Sequence, residues 1–257
     1  MNFTGKSLAL SAGALADATS DLSIEAAAIW AVLSVETHGT GFLPDRRPQI
    51  LFERHFFSRL TGGKFDASHP DISSPVPGGY GASGAHQYDR LTQALSLDQD
   101  AALKSASWGL AQIMGSNCQA AGYESVLSMV NAMIDSEDNQ VKALYNFISD
   151  SKLQPFLAAH DWTSFARGYN GPNYAANHYD VQLRGFYAKY SVGALPDLVV
   201  RAAQLYLTFK GFDPHRVDGN LGNATRAALV SFQTVQGLPV TGQPDDATME
   251  ALQPQET

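Results

Sequence analysis

The sequence predicts a mainly α-helical protein built as two units, a large one over residues 1–190 and a small three-helix one over 197–257. Three observations predict this. Apolar residues recur at helical spacing through most of the chain, while alternating strand patterns are scarce. A short linker, Ser191-Val192-Gly193-Ala194-Leu195-Pro196, separates the two units. After it, a turn followed by a helix occurs twice: Gly219 to Leu229 aligns with Gly242 to Leu252, each turn leading through a polar N-cap region into apolar residues at helical spacing.

In the first unit helical periodicity runs over 22–35, 48–61, 90–96, 99–106, 123–136, 137–150, 153–159, 162–169 and 174–190. The stretch 7–16 after Lys6 has the look of a short secretion-signal core, but its single positive charge and its alanines favour a first helix. Residues 62–88 form a long Gly/Pro-rich loop carrying Tyr80 and Tyr88, which either stack on a ligand or pin the loop to the core. In the second unit, 198–210 supplies the opening helix of a three-helix module. A core of that size is marginal, so the module should pack tightly or lean on the first unit.

Composition narrows the function classes. The 257 residues are 44% hydrophobic and 16% charged, which supports a sizeable core and argues against disorder. A net charge of −8 argues against binding nucleic acid by phosphate neutralisation and against electrostatic adhesion to anionic surfaces. The single cysteine, Cys118, allows no intramolecular disulfide and reads as a small buried hydrophobe. Seven scattered histidines form no HExxH or comparable pair, so no metal and no cofactor is expected, and a zinc amidase or peptidase is the weakest reading. No stretch is long and apolar enough to span a membrane as a helix.

The chemistry is concentrated in four segments. Glu36 ends the apolar run 24–35 and precedes Gly39 and Gly41. In the last turn of a buried helix, the dipole and scarce water both disfavour an ionised carboxylate and raise its pKa. A carboxylic acid held protonated near neutral pH can protonate a glycosidic oxygen; the bland alternative is a solvent-facing helix-end glutamate. Glu53 sits among Phe52, Phe56 and Phe57 on an expected helix, either as a functional carboxylate or paired with Arg46 or Arg54. Ser107 and Gln112 lie in Ser107-Trp108-Gly109-Leu110-Ala111-Gln112, where small residues allow close approach and the amide could bond an N-acetyl or hydroxyl group. Tyr169 and Asn170 place a ring and an amide just before a tight turn, the equipment of a sugar site. His38, two residues from Glu36, could modulate its pKa but reads more simply as a solvent-facing loop histidine.

Together the segments resemble a known pattern. A glutamate after a helix, then Ser107-x-Gly109-x-x-Gln112-x-Met114, then Tyr169-Asn170-Gly171, is similar to the lysozyme-like superfamily of goose-type lysozymes and lytic transglycosylases. Phe52-Glu53-Arg54-His55-Phe56-Phe57, Ala106 to Gly115 and Ala166 to Gly171 look more closely like the N-acetylmuramidase family of phage endolysins, over about 22–190. The resemblance implies a lysozyme-like fold, cleavage of the β-1,4 bond between N-acetylmuramic acid and N-acetylglucosamine, and Glu36 as catalytic acid. Two departures separate the chain from ordinary transglycosylases: Glu36 is followed by Thr37 rather than serine, and roughly seventy residues separate it from the Ser107 segment.

The second unit resembles the three-helix peptidoglycan-binding module, through Val217-Asp218-Gly219, Gly222, Thr225, Ala228, Phe232-Gln233, Gly237-Leu238, Val240-Thr241-Gly242, Asp246 and Thr248. Most of that signature serves turns and helix starts rather than ligand contact. The combination implies a monomeric lysin with peptidoglycan as partner, held in the host cytoplasm until the membrane is permeabilised. A lytic transglycosylase and a non-catalytic wall-binding protein stand as the alternatives.

Overall fold

A computed structural model describes residues 1–37, 40–172 and 174–254. His38 and Gly39, weighed above beside Glu36, lie outside the described residues, as does Asn173.

The chain enters as an extended segment, with Leu8 bridged to Ser136, before α1 (Ala12–Leu22) begins behind its Ser11 cap. The expected first helix is therefore real but displaced toward the C-terminus. Next comes α2 (Ala26–Thr37), whose residues 27–34 are all buried. A helix apolar on every face belongs at the centre of a core. Here α2 is that centre, and its principal partner is α10 (Tyr179–Val192). Trp30 meets Tyr190 at 6.4 Å, and the Ser34 and Tyr190 hydroxyls hydrogen-bond at 2.9 Å.

The helix expected over 48–61 divides in two. Ile50–Phe52 forms β1, and α3 (Arg54–Leu60) follows, with Glu53 as the extended residue between them. β1 pairs antiparallel with β2 (Ala106–Trp108), which pairs with β3 (Ile113–Met114). Ile50 opposes Trp108, Phe52 opposes Ala106, and Ser107 opposes Met114. The apolar triplet is too short to show strand alternation, and its partner lies more than fifty residues away, so neither propensity nor period marks it. Between α3 and α4 (His86–Leu97) runs the long loop. Tyr88 belongs to α4 rather than to the loop: it is buried and donates to the Pro48 carbonyl at 2.9 Å. Tyr80 stays on the loop and is partly exposed.

The first unit is completed by α5 (Gln99–Lys104), α6 (Val126–Asp135), α7 (Glu137–Asp150), α8 (Gln154–Ala158), α9 (Trp162–Asn170) and α10. Residues 174–190, read as one helix, are a 3₁₀ turn over Tyr174–Asn177 followed by α10.

The second unit is α11 (Leu198–Phe209), α12 (Asn223–Gln236) and α13 (Asp246–Leu252). The structure gives its internal repeat a physical basis. Buried Gln204 accepts from the Asp218 and Gly219 amides and donates to the Thr225 hydroxyl. Buried Gln233 accepts from the Thr241 and Gly242 amides and donates to the Thr248 hydroxyl. Gly219 and Gly242 adopt φ of 73° and 63°, which a side chain would strain. Two glutamines thus satisfy two turns that water would otherwise have to solvate.

Each unit has its own apolar core, and the second leans on the first. Phe42 of the first unit lies in the core of the second, edge-on to Phe209 at 6.3 Å, and the Ala9 amide donates to the Tyr206 hydroxyl.

Candidate active site

Glu36 occupies the last turn of α2, where the carbonyl end of the helix dipole adds to the cost of ionising it. One carboxylate oxygen, Oε1, accepts the hydroxyl of Tyr179 from the first turn of α10. Tyr179 is buried, and Tyr169 lies alongside at 6.4 Å with its ring nearly parallel. Phe165 also stacks on Tyr169, at 5.3 Å. Burial raises the Glu36 carboxyl from 4.5 to about 7, against the opposing pull of the Tyr179 hydrogen bond. Burial and the neighbouring Glu36 push both tyrosine hydroxyls well above their ordinary value, so they remain donors. The arrangement is a carboxylic acid poised near neutrality at the end of an aromatic shelf.

Two short segments frame it. Thr37 donates its hydroxyl to the Leu110 carbonyl at 3.0 Å, and Tyr169 donates to the Ala111 carbonyl at 2.7 Å. The turn at 109–112 is therefore tied to both α2 and α9. The segment 40–43 is tied to the strand entry by Gln49, whose amide nitrogen donates to the Gly41 carbonyl at 2.8 Å. Beneath both segments passes the side chain of Gln140, which accepts from the Leu110 amide at 2.7 Å and donates to the Met133 carbonyl at 2.8 Å. A Cβ at Gly41 would fall 1.9 Å from Gln140 Oε1, and one at Gly109 would fall 2.6 Å from Gln140 Cδ. These two glycines are spacing requirements.

The expected sugar-contacting residues divide. Ser107 and Gln112 are brought together, but on each other: Ser107 Oγ donates to Gln112 Oε1 at 2.8 Å. Gln112 Nε2 donates to the carbonyls of Gly109 and Gln49 at 2.8 and 3.2 Å. With φ at 48° and its amide bonded to these carbonyls, Gln112 holds the hairpin. Tyr169 spends its hydroxyl on Ala111 and presents a half-buried ring, while Asn170 is exposed at the end of α9.

Glu53 lies between β1 and α3 in polar surroundings. It caps the strand end without a side-chain helix cap, and its amide donates to the Ser105 carbonyl at 2.8 Å. Its Oε2 lies 3.1 Å from His55 Nδ1, the ion partner in place of the expected Arg46 or Arg54. Burial raises its pKa, opposed by His55 and by a hydrogen bond from Tyr80. Strand rise puts Glu53 about 13 Å along β1 from Gln49, which is bonded to the segment following α2. The arginines hold the loop instead: Arg54 donates to Pro70, and Arg90 donates to Asp71 and Gly79. Among the described residues no three His, Cys, Asp or Glu side chains converge as a metal site.

Sequence reasoning missed Tyr179, Gln140 and Glu137. No local pattern points to Tyr179, and the acidic start of α7 reads as a solvated helix end.

The fold and site define a class: a helical glycoside hydrolase acting on peptidoglycan, with a carboxylic acid on a buried helix end. The chain belongs to the N-acetylmuramidase family, which matches residues 25–191, and residues 198–252 match the peptidoglycan binding domain. Among solved structures it is similar to a Burkholderia AP3 phage endolysin, at 40% identity and a TM-score of 0.64, over 71% of this chain and 70% of that one. None of the curated proteins matches it.

Proposed function

We propose that Glu36 is the general acid of a phage endolysin, protonating the β-1,4 oxygen between N-acetylmuramic acid and N-acetylglucosamine. The observation that carries this is a carboxyl raised to about 7 by burial beside Tyr179, and so substantially protonated at neutral pH. As the bond breaks, positive charge develops at the muramic acid anomeric carbon. Glu53 is the second carboxylate, directing water to the opposite face or stabilising that charge. Tyr169 and Asn170 receive the sugar by ring stacking and an amide hydrogen bond; Ser107 and Gln112 serve by shaping the turn between them.

The biological setting rests on the same resemblance. The protein acts as a monomer, gathers in the host cytoplasm and reaches the wall once the membrane is permeabilised. Its second unit holds peptidoglycan, and its acidic charge disfavours nucleic acid as a partner.

Digestion of purified peptidoglycan followed by mass spectrometry of the soluble fragments tests this. Fragments ending in reducible muramic acid are expected. Fragments ending in 1,6-anhydromuramic acid, lighter by one water, would make the protein a lytic transglycosylase with Glu36 acting alone. Intact wall with protein bound would remove catalysis altogether.

A further inference from the structure

The seam between the two units contains a buried ion pair that neither wall binding nor bond cleavage calls for. Glu137 opens α7 in the first unit, and Arg201 lies in the first turns of α11 in the second; they are 0% and 1% exposed. The guanidinium engages both carboxylate oxygens, with Nη2 to Oε1 at 2.8 Å. The same carboxylate accepts two backbone amides, Gly41 at 2.8 Å and Leu10 at 2.9 Å.

Gly41 lies five residues past Glu36, in the segment that continues from the catalytic helix. One turn further along α7, Gln140 holds Leu110, and Leu110 holds Thr37. The buried face of α7 therefore sets both segments that frame Glu36. Arg201 also reaches α2 itself, with its guanidinium 5.8 Å from the centre of the Trp30 ring. Leaving a carboxylate this deeply buried without its partner is costly, and relief of that cost would move it away from the Gly41 amide it anchors.

We propose that Arg201 is a positioning residue for the catalytic acid, so that the peptidoglycan-binding unit completes the active-site scaffold of the muramidase unit as well as holding the wall. The proposal rests on the reading of Glu36 as the acid. In it, the second unit is no detachable tether. Docking α11 brings in Arg201, Arg201 grips both oxygens of the Glu137 carboxylate, and Glu137 fixes the Gly41 segment behind Glu36. Phe42, the next residue, is clamped in the second unit's core by the same docking.

The test uses the full chain and a soluble peptidoglycan oligomer, which needs no wall anchoring, with binding to insoluble walls measured in parallel. Arg201→Lys keeps the charge but loses the two-pronged grip. It should lower kcat roughly tenfold to a hundredfold, the scale of a small misplacement at a reacting group, with KM and wall binding unchanged. The paired Glu137→Met and Arg201→Met variant removes both charges and restores an apolar seam, which keeps a fold stable where breaking one partner does not. Its kcat should stay low, because the Gly41 amide still lacks its acceptor. Parental kcat in either folded variant overturns the proposal. Amide hydrogen exchange on the unmutated protein decides the matter independently of folding: Gly41 should be protected as strongly as the core of α11, and early exchange at Gly41 alone overturns the clamp. Glu36→Gln in the same assay separates the two readings, since an active Glu36→Gln protein refutes the acid assignment whatever Arg201 does.

Discussion

Tyr179 donates its hydroxyl to Glu36 across 143 residues of chain, and this bond opposes the burial that raises the Glu36 carboxyl. A hydrogen bond to the ionised form lowers a carboxyl pKa, and desolvation raises it. Here desolvation wins and leaves the group at about 7. A general acid must be protonated to act, so with Glu36 in the proposed role activity should fall as pH rises through about 7. Tyr179→Phe removes that opposing influence, so the pKa rises further and the alkaline limb of kcat/KM moves to higher pH. Profiles on soluble fragments between about pH 5 and 9 check this, and a limb that stays put or moves down refutes it.

The same pKa has a consequence for stability. A carboxyl raised in the folded state stabilises the fold most below its unfolded value of 4.5, and that contribution is lost as pH rises through about 7. The full span is about 3 kcal/mol. Glu36→Gln removes the charge and keeps an acceptor for Tyr179. The variant should lose nearly all activity, match the parent in urea stability near pH 4, and exceed it by up to about 3 kcal/mol at pH 8. Equal stability at both pH values would mean that the carboxyl is not held out of water.

Gln112 and Asn170 make a contrasting pair. Gln112→Ala strands the Ser107 hydroxyl and takes one of two donors from each of the Gln49 and Gly109 carbonyls, at a cost of about 1–3 kcal/mol in stability. Its kinetic defect should accompany a lowered Tm. Asn170 is exposed, so Asn170→Ala should leave Tm alone and raise KM. Thermal melts beside initial rates distinguish them, and a Gln112→Ala protein with parental Tm and raised KM would return Gln112 to the role of sugar contact.

How far the sequence reaches follows from the range of each interaction. α2 is legible because a helix buried on all sides needs only its own composition to announce itself, and Glu36 is legible as the first polar side chain after that run. The second unit is legible through the equal spacing of Gly219 to Thr225 and Gly242 to Thr248; Gln204 escaped because the turn it serves is longer than the one Gln233 serves. What stays hidden is tertiary. Ile50–Phe52 becomes a strand only because Ala106–Trp108 is beside it. Glu137 looks solvated until Arg201 arrives from the other unit. Tyr179 carries no mark at all, since its importance is a contact with Glu36 and not a pattern of its own.

Glu53 and Tyr80 mirror the first pair with the opposite consequence. Burial raises the Glu53 carboxyl, and the Tyr80 hydroxyl and His55 oppose it. A water-directing base must be ionised, so Glu53 would set the acid limb of the pH profile while Glu36 sets the alkaline one. Tyr80→Phe removes a bond that favours ionisation, the Glu53 pKa rises, and the acid limb moves toward neutrality. The working range narrows from that side, whereas Tyr179→Phe widens it from the other. The double variant should therefore translate the whole profile to higher pH. Glu53→Gln should abolish the acid limb and lower kcat about 100-fold or more, the scale of general base catalysis. An unchanged acid limb in Tyr80→Phe together with near-parental kcat in Glu53→Gln would confine Glu53 to its ion pair with His55 and leave Glu36 the sole catalytic carboxyl.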